Sequence, residues 1–198
     1  MAVHDFSQKL GFSAGANVRR DMEQIAAALG GACVRVEKTD VETDKAGIDY
    51  MAYLRNGAAV GVDAKRRERH CSRFWRDGVP ELAIETYSVF DTKPGWTFSS
   101  ASDVDYILYS FEPQDSDRYF FLPFQLLRLA ALGNVRRVGD RRAWGGRFFS
   151  MRQDSGGWQS ECIFVPAPVV LAEVQGLMAG QARRDVGDAV PYTVRGNA

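Results

Sequence analysis

The sequence contains few of the residues from which zinc sites and disulfide frameworks are built. His4 and His70 are its only histidines, and its three cysteines share no CxxC spacing. An odd number of cysteines cannot all pair within one chain, and without close spacing they do not resemble a zinc-binding set. We therefore expect a protein of a reducing compartment, the cytoplasm, with no histidine-based metal site.

Long apolar runs and net charge are missing as well. No apolar stretch approaches the ~20 residues that a membrane span needs, and the N-terminal residues lack the charged-then-apolar pattern of a signal peptide. We expect no membrane association. The formal net charge is zero, so no overall field indicates a nucleic-acid partner, whereas 45% hydrophobic residues in a chain of 198 are enough for a substantial core.

Positive charge is concentrated locally in two segments. Lys65 to Arg76 holds six Lys or Arg residues against one Glu, and 136–152 holds six Arg residues against one Asp. Such segments are typical of phosphate contacts, but also of solvated faces, and the sequence leaves both interpretations open. The candidate nucleic-acid contacts are Arg66, Arg67, Arg69 and Arg73.

Hydrophobic periodicity predicts one α/β domain over 1–180 and a loose tail over 181–198. Apolar residues at helical spacing predict a helix over 16–29, which Gly30-Gly31 ends. Alternating or continuously apolar stretches predict strands over 33–37, 81–89, 104–111, 118–122 and 161–165. Two further helices are predicted to begin near Pro123 and Pro168.

The segment 47–65 carries the strongest local signal, because Asn56-Gly57 between alternating apolar runs predicts a β-hairpin. A two-residue loop would leave Asp49 and Asp63 on different faces. A three-residue loop, Arg55 to Gly57, with Gly57 in the left-handed region, places Asp49 opposite Asp63. In this second register one face is apolar throughout, which is how register is normally fixed, so we adopt it.

Two facing carboxylates require an explanation, because like charges directly opposite each other destabilise a strand pair. A hard divalent cation provides one, since Mg²⁺ binds oxygen ligands, commonly one or two carboxylates. Lys65 follows Asp63 on the same face, where its ammonium can orient an attacking water or stabilise charge on a phosphate. The simpler alternative is that both Asp residues are solvated on the open face of an ordinary hairpin.

An Asp followed across a hairpin by (Asp/Glu)-x-Lys resembles the PD-(D/E)XK nuclease superfamily, whose fold is restriction-endonuclease-like. Asp49 matches the first acid, Asp63 the second and Lys65 the lysine, while Ile48 stands in place of the nominal proline. The resemblance implies an αβββαβ core, a central mixed sheet flanked by helices, with the later elements as C-terminal additions. It also implies a metal-dependent endonuclease that uses Mg²⁺ or Mn²⁺.

The same resemblance suggests further roles. An additional acid after the lysine completes the metal site in some members, which makes Glu85 a candidate for metal binding and catalysis, with a sheet-edge residue without a role as the equal alternative. Glu23 on the first helix is a second candidate, although its place beside the apolar stripe favours surface exposure. DNA is implied as substrate in preference to RNA, and a homodimer is implied because members that cut both strands often dimerise.

Two other functions are compatible with the sequence. A non-catalytic nucleic-acid-binding or interaction module could use the same fold, although the intact Asp49, Asp63 and Lys65 count against it. A hydrolase that uses two carboxylates on a small substrate, such as a glycosidase, would leave Lys65 without a natural role.

Overall fold

The protein is described by a computed structural model. The structure describes residues 16–45, 47–67, 75–76, 78–89, 92–99, 103–111, 119–134, 147–148 and 160–182. They form an α/β fold, as predicted. In chain order the elements are α1 (Ala16–Leu29), β1 (Cys33–Lys38), α2 (Val41–Lys45), β2 (Tyr50–Leu54), β3 (Ala59–Arg67), β4 (Trp75–Arg76), β5 (Val79–Val89), β6 (Lys93–Pro94), β7 (Tyr106–Phe111), β8 (Tyr119–Pro123), α3 (Phe124–Asn134), β9 (Arg147–Phe148), β10 (Glu161–Pro166) and α4 (Ala167–Ala182).

The chain divides into two compact units. The first contains the described residues up to 67 and those from 103 to 124, and the second contains those from 75 to 99 and from 125 to 182. The predicted single domain over 1–180 stays a prediction. Most of the predicted tail, residues 183–198, lies outside the described residues.

The first unit is built on a mixed five-stranded sheet with the order β1-β2-β3-β7-β8. Neighbouring strands are antiparallel except for β3 and β7, which run parallel. The strand β3 is therefore central, and its residues are fixed by pairing on both sides. A parallel pair needs a long connection, and here 38 residues separate Arg67 from Tyr106.

The helix α1 packs on one face of this sheet, as its apolar periodicity requires. Ile25 and Leu29 meet Tyr50, Ala52 and Val62 there, and Leu108 and Phe121 join the same buried cluster. Gly30 follows the helix with φ +59°, the left-handed conformation of a glycine helix stop. The predicted helix and its end are confirmed.

The second unit contains a sheet with the order β4-β5-β10-β9, and β6 pairs with β5. The predicted strands over 81–89 and 161–165 are confirmed as parts of β5 and β10. Between β3 and β7 the described residues form strands and no helix, so the helix that an αβββαβ core requires there is not seen in them. Among the described helices, none is long and apolar enough to cross a membrane.

Candidate active site

The hairpin between β2 and β3 has the predicted three-residue loop. The Gly57 amide donates to the Leu54 carbonyl at 3.0 Å, and the Leu54 amide donates to the Ala58 carbonyl at 2.8 Å. Gly57 has φ +85°, which is the left-handed position that closes a type I turn with a bulge. A side chain at Gly57 would be strained there, so the Asn-Gly pair selects this turn.

The turn sets the register that brings the acidic residues together. Tyr50 pairs with Val62 and Ala52 with Val60, as predicted. Asp49, directly before β2, donates its amide to the Val62 carbonyl at 2.9 Å. Its carboxylate Oδ2 accepts a hydrogen bond from the Ala64 amide at 2.8 Å. The Asp49 carboxylate is thus held beside the residue that separates Asp63 from Lys65.

Asp63 and Lys65 lie side by side on the central strand. Their side chains share one face because they are two residues apart, and Lys65 Nζ lies 2.8 Å from Asp63 Oδ2. Asp63 is only 6% exposed, since β3 is flanked by both β2 and β7. A buried carboxylate on a central strand is not the solvated residue of an open hairpin face, so the simpler interpretation of this pair does not describe Asp63.

The electrostatics of the pair are unfavourable for Asp49. Burial, and then the neighbouring negative charge of Asp63, raise the pKa of Asp49 from 3.8 to about 6, against the opposing effects of the Ala64 amide, Lys65 and Lys38. Desolvation and a nearby like charge both disfavour the ionised carboxylate. The two acids are therefore close enough to compete, and one of them holds its proton up to nearly neutral pH.

Lys38 is a site residue that the sequence did not reveal. It is the last residue of β1, and its Nζ lies 3.6 Å from Asp49 Oδ1 and 3.2 Å from Asp44 Oδ2. Its ammonium also lies 5.1 Å from the centre of the Tyr50 ring. The strand predicted over 33–37 ends one residue before Lys38. Only the pairing of β1 with β2 brings Lys38 to Asp49.

Arg66 points to the opposite face of β3, towards α1. Arg66 Nη2 donates to Asp21 Oδ1 at 2.5 Å, and the hydroxyl of Tyr50 donates to Asp21 Oδ2 at 2.9 Å. Burial and the Asp21 carboxylate raise the pKa of Tyr50. The side chain of Arg66 is 18% exposed. Its assignment to phosphate contacts stays a prediction, and the buried pairing with Asp21 counts against it. Because side chains alternate along a strand, Arg66 and its neighbour Lys65 point to opposite faces of the sheet.

The two additional acids have other surroundings. Glu85 belongs to the second unit, where its Oε2 accepts hydrogen bonds from the Ser88 hydroxyl at 2.8 Å and the Trp96 amide at 3.0 Å. Glu23 is exposed on α1 and pairs with Arg19 at 2.9 Å. A metal role for either acid stays a prediction.

The rest of the predicted basic surface is only partly described. Arg67 ends β3, whereas Arg69 and Arg73 lie outside the described residues. In the part of the chain that the structure describes, no three His, Cys, Asp or Glu side chains form a group that could hold a metal ion.

Comparisons of the chain with family models, with curated proteins and with solved structures gave no match.

Proposed function

We propose that the protein is a metal-dependent endonuclease that hydrolyses phosphodiester bonds, with Asp49, Asp63 and Lys65 as its active site. The observation that carries the proposal is the hairpin register, which sets two carboxylates and a lysine against one another at the centre of a mixed sheet. The resemblance of these residues to the PD-(D/E)XK superfamily supports the same conclusion. In the first unit's sheet, β1, β2 and β3 are neighbours in this order, and the next strand in the sheet, β7, runs parallel to β3. This arrangement fits the first part of that fold.

The residues present fit a hard divalent cation. Both acids offer carboxylate oxygens, and Mg²⁺ is commonly held by one or two carboxylates together with waters and substrate phosphates. Burial first, and the charge of Asp63 second, raise the pKa of Asp49, and a bound cation would favour its ionised form against both effects. A Mg²⁺ or Mn²⁺ ion at Asp49 and Asp63 would supply an acidified water and neutralise charge on the scissile phosphate.

The chain's own residues perform the remaining tasks. Lys65 is held by its contact with Asp63 Oδ2, so its ammonium has a fixed position from which it can donate a hydrogen bond to an attacking water or to a phosphate oxygen. The backbone of β3 is paired on both sides, which limits movement of Asp63 and Lys65. Such rigid placement is what proximity-based catalysis needs.

A nucleic acid is the substrate class that suits these groups, and analogy with the superfamily favours DNA over RNA. The basic segment continues directly from Lys65 along the chain, next to the proposed metal site in sequence. Phosphate contacts of this kind would make binding dependent on salt concentration.

The experiment is a Mn²⁺ titration by calorimetry combined with a Mg²⁺-dependent plasmid cleavage assay. Asp63→Asn should lose both cation affinity and cleavage. Asp44→Asn is the matched control, because it removes the same charge from the neighbourhood of Lys38 without touching the carboxylate pair, and it should retain both. Normal cleavage by Asp63→Asn would refute the proposed function.

A further inference from the structure

Lys38 carries a positive charge at the candidate site that the proposed function does not use. Its Nζ lies 3.2 Å from Asp44 Oδ2 and 3.6 Å from Asp49 Oδ1, and it donates a hydrogen bond to the Asp49 carbonyl oxygen at 3.5 Å. The centre of the Tyr50 ring lies 5.1 Å from the same Nζ. Carboxylates, carbonyl oxygens and aromatic rings all attract cations. These groups form a cation position beside Asp49, and the ammonium of Lys38 fills it.

The short helix α2 brings Asp44 to this position. Asp40 is the N-cap residue of the helix, because its Oδ1 accepts a hydrogen bond from the Thr43 amide at 2.8 Å. The Asp44 amide then donates to the Asp40 carbonyl at 2.9 Å. Asp44 therefore lies one helical turn after Asp40 and next to Lys38, the last residue of β1. Contacts between residues close together in the chain set the position of this carboxylate.

Each carboxylate of the candidate site has its own ammonium group. Lys65 contacts Asp63 Oδ2 at 2.8 Å, and Lys38 contacts Asp49 Oδ1 at 3.6 Å. The second oxygen of Asp49, Oδ2, accepts the Ala64 amide. Lys38 therefore contacts the Asp49 oxygen that does not accept the Ala64 amide.

The charges of these side chains determine how many metal ions suit the site. When all are ionised, Asp44, Asp49 and Asp63 contribute −3, and Lys38 and Lys65 contribute +2, which leaves −1. One divalent cation changes this charge to +1, whereas two would change it to +3. Repulsion between like charges is strong where water is partly excluded. This set of side chains therefore suits one divalent cation.

We propose that Lys38 takes the place of a second metal ion, so that each chain binds one divalent cation, at Asp49 and Asp63. In two-metal sites the ions lie about 3.5–4 Å apart and stabilise the attacking and leaving oxygens of the phosphate. Lys38 instead supplies a positive charge beside Asp49 that belongs to the chain itself. The inference rests on the proposed function, because it concerns the metal of that same site.

An ammonium tethered to the chain behaves differently from a second ion. It is present at every metal concentration, and it donates hydrogen bonds to phosphate oxygens as a point charge. Only one ion then has to bind before the reaction can occur. We therefore expect the cleavage rate to rise hyperbolically with Mg²⁺ concentration and not sigmoidally.

The test counts bound Mn²⁺ per full chain by equilibrium dialysis in the absence of nucleic acid. The wild type should bind one ion. Lys38→Glu puts a third carboxylate beside Asp44 and Asp49, so this variant should bind two. Arg35→Glu is the matched control, because it makes the same change of charge on the same strand at a residue that pairs with Glu37, and it should bind one.

The count is repeated with a short DNA duplex that has phosphorothioate linkages, because a bound phosphate supplies further oxygen ligands. The wild type should still bind one ion per chain. A second ion that enters only with the duplex would show that Lys38 does not replace it.

The variant Lys38→Met keeps the test decisive if circular dichroism shows that Lys38→Glu does not fold. Methionine keeps an apolar stem but removes the charge that repels a divalent cation at Asp49, so the Mn²⁺ affinity in calorimetry should rise about tenfold or more. Arg35→Met is its matched control and should bind Mn²⁺ as the wild type does, because the Arg35 side chain is exposed and its charge is screened.

Three results would overturn the proposal: two ions on the wild-type chain, one ion on a folded Lys38→Glu variant, or an unchanged Mn²⁺ affinity in Lys38→Met. Each of them leaves a metal ion at the carboxylate pair, and therefore leaves the proposed function standing. A wild-type chain that binds no Mn²⁺ would overturn both.

Discussion

Asp49 should destabilise the metal-free protein at neutral pH. The folded chain holds the Asp49 proton up to about pH 6, whereas an unfolded chain releases it near 3.8. Between these values the folded state binds more protons, so the contribution of Asp49 to stability falls as the pH rises from about 4 to 6, and it stays reduced above pH 6. With about 1.4 kcal/mol per pKa unit, the loss amounts to about 3 kcal/mol.

The substitution Asp49→Asn tests this reasoning. The amide oxygen still accepts the Ala64 amide that Asp49 Oδ2 accepts now, while the charge that burial and Asp63 disfavour is gone. We expect the variant to be more stable than the wild type at pH 7 by up to about 3 kcal/mol and nearly equal to it at pH 4. The comparison at each pH cancels the titration of all other groups.

The assay should report on the first unit alone, because the chain contains two units and a single melting curve would average them. Native-state hydrogen exchange of the β2 and β3 amides does so. At pH 7 these amides should exchange up to about 100-fold more slowly in Asp49→Asn than in the wild type. Saturating Mn²⁺ should remove much of the difference, since a cation at the proposed site would stabilise only the wild-type pair.

The reasoning would be refuted by equal exchange rates in the two proteins at pH 7, or by a difference of the same size at pH 4 and pH 7. The first result would mean that the Asp49 carboxylate is not disfavoured in the fold. The second would mean that the substitution acts through packing and not through charge.

Three further predictions concern other parts of the molecule. Lys65→Ala should abolish cleavage yet leave Mn²⁺ affinity in calorimetry unchanged or higher, because an ammonium is not a metal ligand; a parallel loss of Mn²⁺ binding would contradict its assigned role. Asp21→Ala should lower the free energy of unfolding of the first unit by about 3–5 kcal/mol in native-state hydrogen exchange of the β2 and β3 amides, since Arg66 would lose its buried partner; a change below about 1 kcal/mol would show that the pair is dispensable. Gly95→Ala should destabilise the second unit by about 1–3 kcal/mol, because the new Cβ would overlap the backbone carbonyl oxygen of Glu85, whereas Gly133→Ala, with no described neighbour within 4 Å of its new Cβ beyond the adjacent residues of α3, should not.

The structural elements that depend on residues close together in the chain could be predicted from the sequence. The periodicity of Val18, Met22 and Ile25 indicates α1, and Gly30 marks its end. The hairpin register follows from the turn chemistry of Asn56-Gly57 and from an apolar face that only one alignment makes continuous. Both signals involve neighbours within a few residues, where propensity and hydrophobic period act directly.

Contacts between distant segments could not be predicted in this way. The parallel pairing of Asp63 with Ile107 joins residues that no local pattern relates, and it is the reason that Asp63 is buried. The contact of Arg66 with Asp21 depends on where α1 crosses the sheet, and Lys38 reaches Asp49 only because β1 pairs with β2. An arginine in a basic segment looks the same in sequence whether it faces solvent or a buried acid.

The meeting of Asp49, Asp63 and Lys65 follows from the sequence, because a hairpin is a local structure whose turn and alternation fix which residues face each other. Their environment depends instead on tertiary packing: the burial of Asp63, the raised pKa of Asp49, the approach of Lys38 and the placement of Glu85 in a separate unit. Burial and charge proximity depend on how sheets and helices pack over long sequence separations, and hydrophobic pattern alone does not specify those partners.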